Sequence, residues 1–396
     1  GWDALLMNSG VYMNLQDLPE GSDWDDFLEV VRDDNELVYA REGMTASVLV
    51  ADQPSIGNRY LAVNGKIEAS TNADMETQLM IAHLPLLLHD DPKDILVIGL
   101  ASAITVGGAA THPIETIRVV EVEEAMIPAA HLFADDNGGV MDDPRLELSI
   151  NDARNELEFS SSSYDVIISE PSNPWMTVAS NLFTEDFFRL AGRRLRDDGI
   201  FAQWVQNYYL PAEDLQSIVA AFHAAFPNVL VFETFGGVDL LLLGTRDRLA
   251  LDLDRIADRM SELEVRMDLA RVDVRKPTDV LPLFVLGPGQ VDRMVEGAPR
   301  NTDDNARVEF SAPKALYQDT LSSNLEFLYS FAGDPLDVVV PTPEGDLERA
   351  RFRLDLARSL VARDSLGRAR TLLDSLAGGP LADDAAALAE RAAVTP

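Results

Sequence analysis

The turn Glu170-Pro-Ser-Asn-Pro-Trp175 brings a carboxylate, an amide and an indole together in a short stretch of chain. After Ser169, it follows the apolar run Val166 to Ile168, which is typical of a buried strand. In an open α/β sheet, ligands bind at the carboxyl ends of the strands. We therefore predict that Glu170, Asn173 and Trp175 meet one substrate. The alternative is a turn that ends a strand and carries a solvated acid.

Three further segments with polar or small residues follow other predicted strands. Gly99 to Gly107 is rich in small residues, which let backbone N–H groups approach a ligand closely, but it lacks the G-x-G-x-x-G spacing of dinucleotide sites. Glu121 ends the next strand, where an acid can accept both hydroxyls of a ribose, unless it is simply a solvated acid. Asp152 follows the third strand and can accept from an adenine amino group. In this order, the segments predict a site for a nucleotide of the adenosylmethionine type.

Alternating strands and helices must position these residues. We predict strands and helices that alternate along the middle of the chain, which indicates a doubly wound, mostly parallel Rossmann-like sheet of the S-adenosylmethionine-methyltransferase type. The predicted strands are Asp94–Gly99, Thr116–Glu121, Leu146–Ile150, Val166–Ile168, Gly199–Val205, Val229–Phe232 and Leu240–Leu243. The predicted helices are Met75–His89, Thr105–Ala110, Glu124–Phe133, Thr184–Leu195 and Ala212–Ala225.

The sequence divides into three predicted regions. Residues 1–75 hold an N-terminal segment and a small antiparallel β unit, whose last hairpin is marked by Asn64-Gly65. Residues 76–334 hold the nucleotide-binding α/β domain. Residues 345–396 form an Ala/Leu/Arg-rich helical extension with spacing like one helix pair of a tetratricopeptide-type (TPR-like) repeat. A single pair cannot bury its own apolar face, so we expect it to pack on the main domain or on a partner.

Composition narrows the classes of function. The formal charge of −35 would repel nucleic acids and anionic lipid and attract a cationic ligand, although acidic side chains spread along the whole chain also suit surface solubility. Cysteine is absent, which excludes disulfides and a thiolate nucleophile, and the isolated histidines do not predict a metal site. We expect a cytoplasmic protein. The start Gly1-Trp-Asp has the character of an internal segment of a longer chain.

The chain resembles the polyamine aminopropyltransferases, the spermidine/spermine synthase family, from about residue 36 to 235. The resemblance is carried by Val63-Asn-Gly-Lys-Ile-Glu-Ala-Ser70, Gln78-Leu-Met-Ile-Ala-His-Leu-Pro-Leu86, Ile95-Leu-Val-Ile-Gly99, Val120-Glu-Val-Glu123, Asp152-Ala153, Tyr164-Asp-Val-Ile-Ile168 and Asn181-Leu-Phe-Thr-Glu-Asp-Phe-Phe188. The turn after Glu170, together with Asn301-Thr-Asp-Asp304, looks like the branch whose synthase domain follows a membrane-embedded half.

The resemblance implies a transferase of polyamine biosynthesis. In that family a primary amine attacks the methylene beside the sulfonium of decarboxylated S-adenosylmethionine, and methylthioadenosine leaves. It further implies that Glu121 binds the ribose, Asp152 the adenine, and Glu170 is the catalytic base. The other nucleotide-binding residues would be Gly99, Ala101, Ser102, Ala153 and Gln78. The substrate-binding residues would be Asn173, Trp175, Glu68, Asp74 and Gln203.

Three positions depart from the family's pattern. Ser102 stands where the glycine-rich loop normally carries an acid, Asn173 replaces the second acid after strand four, and Thr77 replaces a tyrosine. Three hypotheses therefore remain. The protein transfers aminopropyl groups; or it uses ordinary S-adenosylmethionine as a methyltransferase or a methylthioadenosine-forming lyase; or it is a non-catalytic nucleotide sensor.

The expected ligands are small molecules. We expect decarboxylated or ordinary S-adenosylmethionine as co-substrate, a polyamine-like amine as acceptor, no tightly bound cofactor and no nucleic acid. The resemblance leaves open a homodimer, and a tether to a membrane-embedded N-terminal segment that would hold the protein at the inner face of the membrane.

Overall fold

The computed structural model of the 396-residue chain describes residues 3–8, 21–176, 179–316 and 318–394. The other positions of the predicted N-terminal segment and of the C-terminal extension lie outside these residues. Across the described ranges, every helix is too short or too polar to cross a membrane.

The strands fall into two main sheets and one short pair. They are β1 (Glu36–Glu42), β2 (Ser47–Gln53), β3 (Asn58–Val63), β4 (Lys66–Ser70), β5 (Asp94–Ile98), β6 (Thr116–Glu121), β7 (Leu146–Ile150), β8 (Tyr164–Ser169), β9 (Leu195–Gln206), β10 (Asn228–Thr234), β11 (Asp239–Thr245), β12 (Leu251–Asp252), β13 (Phe284–Leu286) and β14 (Val339–Val340).

The α-helices lie mostly between these strands and after them. They are α1 (Ala4–Met7), α2 (Trp24–Arg32), α3 (Met75–Leu88), α4 (Ile104–Ala110), α5 (Met126–His131), α6 (Ala153–Phe159), α7 (Glu185–Gly192), α8 (Ala212–Ala225), α9 (Leu253–Ser261), α10 (Leu263–Leu269), α11 (Pro288–Val295), α12 (Arg307–Ser311), α13 (Leu321–Tyr329), α14 (Asp346–Ala362), α15 (Leu366–Ser375) and α16 (Ala382–Val394).

The N-terminal sheet is the predicted antiparallel β unit. Its strands lie in the order β1-β2-β3-β4, each antiparallel to the next. Asn64 and Gly65 both have positive φ, 51° and 84°, as a two-residue turn of type I′ requires. Val63 pairs with Lys66 across this turn, which returns the chain along β3 as β4.

The central sheet is mixed and mostly parallel, as predicted. Its order is β13-β10-β11-β9-β8-β5-β6-β7, and β9, β8, β5, β6 and β7 run parallel. The hairpin β10–β11 adds antiparallel strands beside β9. Because β11 runs against β9, its first residue, Asp239, pairs with Gln206 at the carboxyl end of β9. The start of β11 therefore reaches the edge where the parallel strands end.

One apolar core joins the two sheets. Val48 and Leu61 of the N-terminal sheet belong to the same buried cluster as Leu79 of α3 and Ile95 of β5. All side chains of α3 except Glu76 are buried. The core is continuous across residue 75, so the division into domains at that position stays a prediction.

The C-terminal extension packs on the main domain. It has three helices, α14, α15 and α16, where the sequence predicted one pair, and these bury a small apolar cluster of their own. Two arginines fasten it: Arg363 bonds Glu76, and Arg368 lies 2.5 Å from Glu233 with both side chains largely buried. The helices thus bury apolar side chains among themselves and, through Leu356 and Leu360, in the main core, as so short a helical array requires.

Candidate active site

A large cavity opens where the parallel strands end. Its volume is about 1190 Å³, and its wall combines residues that follow β5, β6, β7 and β8 with residues of β4, α3 and β11. Adjacent parallel strands end at the same edge of a sheet, so side chains that are far apart in sequence meet there. The cavity contains most of the residues that the sequence singled out.

Glu121 is fixed at the end of β6. Its Oε2 accepts the Leu100 N–H at 2.9 Å and its Oε1 accepts the Glu123 N–H at 2.8 Å. Burial raises the pKa of Glu121, and these backbone bonds oppose the rise. An anchored carboxylate that lines a cavity has the geometry to accept ribose hydroxyls.

The loop after β5 approaches the backbone that follows the neighbouring strand β8 so closely that only glycine fits at its first position. Gly99 has a φ of +99°, and a Cβ at this position would lie 2.6 Å from the backbone oxygen of Glu170. Ala101 also has a positive φ, 41°. Gly99, Ala101 and Ser102 all line the cavity. The main chain of this loop therefore lines the cavity and can contact a bound ligand directly.

Asp152 caps the helix that follows β7. Its Oδ1 accepts the Asn155 N–H at 3.0 Å, which fixes the carboxylate at the start of α6. Asp152 and Ala153 both line the cavity. The structure thus brings together the two acids that were predicted to hold the ribose and the adenine.

Gln78 and Ser102 form a fixed polar pair on the cavity wall. The Gln78 Nε2 donates to the Ser70 oxygen at 2.9 Å, and the Ser102 Oγ donates to Gln78 Oε1 at 2.6 Å. Both side chains are buried. Because each end of the Gln78 amide has a partner, its orientation is set before any ligand arrives.

Glu170 lies between the nucleotide side and an acidic end of the cavity. Its Oε2 lies 2.6 Å from Thr105 Oγ1, and this hydroxyl also lies 3.0 Å from the Gln78 backbone oxygen. The pKa of Glu170 is raised to about 8, chiefly by burial and also by the charges of Asp239 and Asp74, while the hydrogen bond from Thr105 opposes the rise. Thr105 has a single proton to donate, so a protonated Glu170 satisfies both contacts at once. The carboxyl group is thus poised to exchange a proton near neutral pH.

Other charged groups surround this end of the cavity. Glu68, Asp74 and Asp239 line it, and Lys66 lies among them. Asp239 accepts from Thr77 Oγ1 at 2.7 Å, and burial raises its pKa to about 6. Burial also raises the pKa of Asp74. A raised pKa means that these buried acids are partly protonated, and a bound cation would favour their ionised form.

Two predicted substrate-binding residues do not line the cavity. Asn173 is fully buried and donates through Nδ2 to the Tyr208 hydroxyl at 3.3 Å, so it lies behind the aromatic wall. Gln203 is fully buried and donates to the Trp204 oxygen. Trp204 does line the cavity, and neighbouring strand residues point to opposite faces, so Gln203 faces away.

Trp175 lines the cavity as predicted. Its ring meets Tyr208 at 6.2 Å and Tyr209 at 6.4 Å, centroid to centroid, both at steep angles. Together with Trp204 these rings make an aromatic wall beside the acids. Rings with negative faces suit a cationic substrate.

Sequence reasoning missed three residues of the site. Thr105 was taken only as the start of a helix, Lys66 only as part of a resemblance, and Asp239 not at all. For Asp239 a signal existed: the Gly236-Gly237 turn before an apolar run predicts a hairpin whose second strand starts at the carboxyl edge. Thr105 and Lys66 carry no such signal.

A turn of the N-terminal sheet is tied to the nucleotide side. Glu123 accepts from Thr45 N and Thr45 Oγ1, both at 2.8 Å, and from Ala46 N at 3.2 Å. These bonds hold the turn between β1 and β2 against the end of β6. Among the described residues, no group of three or more His, Asp or Glu side chains is placed to hold a metal ion.

Comparison with known proteins finds similarity to spermidine synthases and other polyamine aminopropyltransferases. Residues 75–235 match the family model described as the spermine/spermidine synthase domain. A polyamine aminopropyltransferase of Bacillus subtilis (strain 168) is 24% identical over 259 residues, which is 63% of this chain and 91% of that protein. The polyamine aminopropyltransferase of Erwinia tasmaniensis is 28% identical over 262 residues, 64% of this chain and 91% of the relative. A spermidine synthase of Dictyostelium discoideum is 26% identical over 243 residues, which is 60% of this chain and 84% of that protein.

Solved structures show the same fold. A crystal structure of spermidine synthase in complex with the transition state analogue AdoDATO aligns with a TM-score of 0.53 and 21% identity, over 66% of this chain and 88% of that one. The spermidine synthase from Thermotoga maritima aligns with a TM-score of 0.51 and 20% identity, over 66% and 87%. At these identities the likeness concerns the fold.

Proposed function

We propose that the chain, whose residues 75–235 match the spermine/spermidine synthase domain, is a member of that family and transfers an aminopropyl group from decarboxylated S-adenosylmethionine to an amine. The amine nitrogen forms a bond to the methylene carbon beside the sulfonium, and the carbon–sulfur bond breaks. The electron pair of that bond returns to sulfur, so methylthioadenosine leaves neutral at sulfur. The attacking nitrogen loses one proton, which the protein must accept.

The single observation that carries the proposal is the placement of Glu170. It lines the same cavity as Glu121 and Asp152, and burial raises its pKa to about 8. A general base works best when its pKa lies near the operating pH. We assign Glu170 as the group that accepts the proton, with Thr105 holding the carboxyl group in place.

The remaining residues have supporting roles. Glu121 receives the ribose hydroxyls and Asp152 receives the adenine amino group. Gln78, Gly99, Ala101, Ser102 and Ala153 shape the nucleotide wall, and Trp175 covers the reacting groups. Glu68, Asp74 and Asp239 anchor the cationic ends, and the −35 charge of the whole chain favours the arrival of cations.

The placement of Asn173 bears on the methyltransferase hypothesis. Asn173-Pro-Trp175 is similar to the Asn-Pro-Pro-aromatic turn of amino-methyltransferases, in which the asparagine holds an amine nucleophile, but here the Asn173 side chain is buried, donates to Tyr208 and does not line the cavity. Aminopropyl transfer needs no such contact, because the acids at the other end of the cavity can hold the amine.

The test is a product assay with purified protein. Decarboxylated S-adenosylmethionine is supplied with and without a panel of amines, and methylthioadenosine is measured by chromatography. We expect methylthioadenosine only when an amine is present. Methylthioadenosine from ordinary S-adenosylmethionine without amine would indicate a lyase, and S-adenosylhomocysteine would indicate methyl transfer.

A further inference from the structure

Lys66 places a permanent cation inside the cavity. It is the first residue of β4, directly after the Asn64-Gly65 turn, and it is 4% exposed. Among the described residues that line the cavity, it is the only lysine or arginine. Lysine is almost never fully buried without a partner, so this position demands a reason.

The partners of Lys66 keep it protonated. Its Nζ donates to the Ile67 oxygen at 2.9 Å and to Glu68 Oε2 at 3.1 Å. Burial is the largest single effect and would lower the pKa of Lys66, but the charges of Glu68, Tyr208 and Asp74 and the hydrogen bond to Glu68 together outweigh it and raise the pKa. The ammonium is therefore charged at neutral pH.

The same ammonium acts on the acids at this end of the cavity. Burial raises the pKa of Asp74 and of Asp239, and the charge of Lys66 opposes the rise in both. The Lys66 ammonium thus occupies a position among the acids that could otherwise hold a cationic end of a substrate. Glu68 Oε1, by contrast, is buried and has no hydrogen-bond partner. One carboxylate oxygen is left for a donor that the protein does not supply.

The acids of the wall fall into two groups. Glu121, Glu123 and Asp152 accept backbone N–H groups on the nucleotide side, and Asp319 is exposed. The second group, Glu68, Asp74, Glu170 and Asp239, surrounds the reacting end of the cavity. Fully ionised, this second group would carry four negative charges; because burial raises the pKa of Glu170 and of Asp239, it carries fewer near neutral pH, and Lys66 balances one of them.

A count of charges then limits the acceptor. At most three negative charges remain, and decarboxylated S-adenosylmethionine brings two positive ones, its sulfonium and its primary ammonium. At most one negative charge is left for the acceptor. In a cavity of low dielectric constant, a further unpaired ammonium is strongly disfavoured.

We propose that Lys66 takes the place of a second substrate cation, so that the site selects an acceptor with a single ammonium over a diamine of the same length. This inference rests on the proposed function for its chemistry, but it concerns binding as well as turnover. Lys66 is thereby a specificity-determining residue, since it touches the anchoring acid Glu68 and leaves the proton transfer to Glu170 unchanged.

The test compares n-butylamine with 1,4-diaminobutane, which differ in the second ammonium. For each, kcat/KM is measured with decarboxylated S-adenosylmethionine, and affinity is measured by calorimetry in the presence of an unreactive analogue of decarboxylated S-adenosylmethionine that keeps both of its positive charges. Wild type should favour butylamine in both measurements. Lys66→Met, which keeps an unbranched side chain, should shift the ratio toward the diamine by roughly 10–100-fold, as expected for one charged hydrogen bond gained or lost. The change should appear chiefly in KM.

Lys66→Arg is the matched control, since it keeps the charge and should keep the preference for butylamine. Thermal unfolding of each variant shows whether it is folded. A wild type that favours the diamine overturns the inference and leaves the proposed function standing. A Lys66→Met variant that is folded but unchanged in its preference also overturns it. If no amine yields methylthioadenosine, the proposed function fails, and the calorimetric preference still decides the role of Lys66.

Discussion

Replacing Glu170 by glutamine tests the assignment of the base. Glutamine has the same shape, and its Nε2 can donate to Thr105 Oγ1, which lies 2.6 Å from Glu170 in the wild type. The fold and the nucleotide side should therefore be preserved. Loss of a general base costs about 10²–10⁴-fold in rate. We expect kcat for methylthioadenosine release to fall by that factor, while methylthioadenosine binds with unchanged affinity in calorimetry.

The pH dependence makes the same test sharper. With a pKa of about 8, only about a tenth of Glu170 is ionised at pH 7, so kcat/KM should rise as pH approaches 8 and then level. The hydrogen bond from Thr105 lowers the pKa of Glu170 against the effect of burial. Thr105→Val, in which valine is similar in shape to threonine, should thus shift the rise of kcat/KM to higher pH. Titration of the amine itself would not move.

The control for the glutamine variant is Glu115→Gln, an exposed glutamate outside the cavity wall, which should leave the rate unchanged. The reasoning about Glu170 is refuted if Glu170→Gln retains a rate within tenfold of wild type. It is also refuted if the rise of kcat/KM with pH has the same midpoint in the Thr105→Val variant as in wild type.

Three further predictions concern the loop, the acids and the extension. Gly99→Ala should abolish methylthioadenosine binding and lower the melting temperature, because its Cβ would meet the Glu170 oxygen at 2.6 Å; wild-type affinity in that variant would contradict the close approach. Since burial raises the pKa of Glu170 from 4.5 to about 8, the ligand-free protein should lose stability as pH rises through that window, and Glu170→Gln should lose less; identical pH–melting curves would contradict this. Arg368→Met, which leaves the buried Glu233 without its ion pair, should destabilise the protein by about 3–5 kcal/mol in urea unfolding, whereas Arg370→Met at an exposed position should be neutral; equal effects would contradict the docking.

The sequence predicted the central sheet well because parallel strands carry strong local signals. Val166 to Ile168 and Ile95 to Ile98 are short apolar runs between helical segments, and the structure has strands at both. The Asn64-Gly65 hairpin was equally clear, since both residues must adopt positive φ. Helix ends were less certain: the helix predicted to begin at Glu124 begins at Met126, because capping depends on tertiary contacts.

The site was predictable only in part. Glu121, Asp152 and Glu170 end or follow parallel strands, and the topology brings such positions together. Asn173 and Gln203 show the limit, since the sequence places them near the edge but not on the side that faces the cavity. Lys66 shows the opposite case: a lysine after a turn is normally solvated, and only the folded structure reveals that this one is buried.

The most direct test of the central claim follows the aminopropyl group itself. The protein is incubated with an amine and with decarboxylated S-adenosylmethionine that carries carbon-13 in its aminopropyl carbons. The products are then separated, and their masses are determined by mass spectrometry. Aminopropyl transfer predicts the label in the amine product, joined through a new carbon–nitrogen bond, with an equal amount of unlabelled methylthioadenosine. Label that stays with the nucleotide, or methylthioadenosine formed without a labelled amine, would contradict the account.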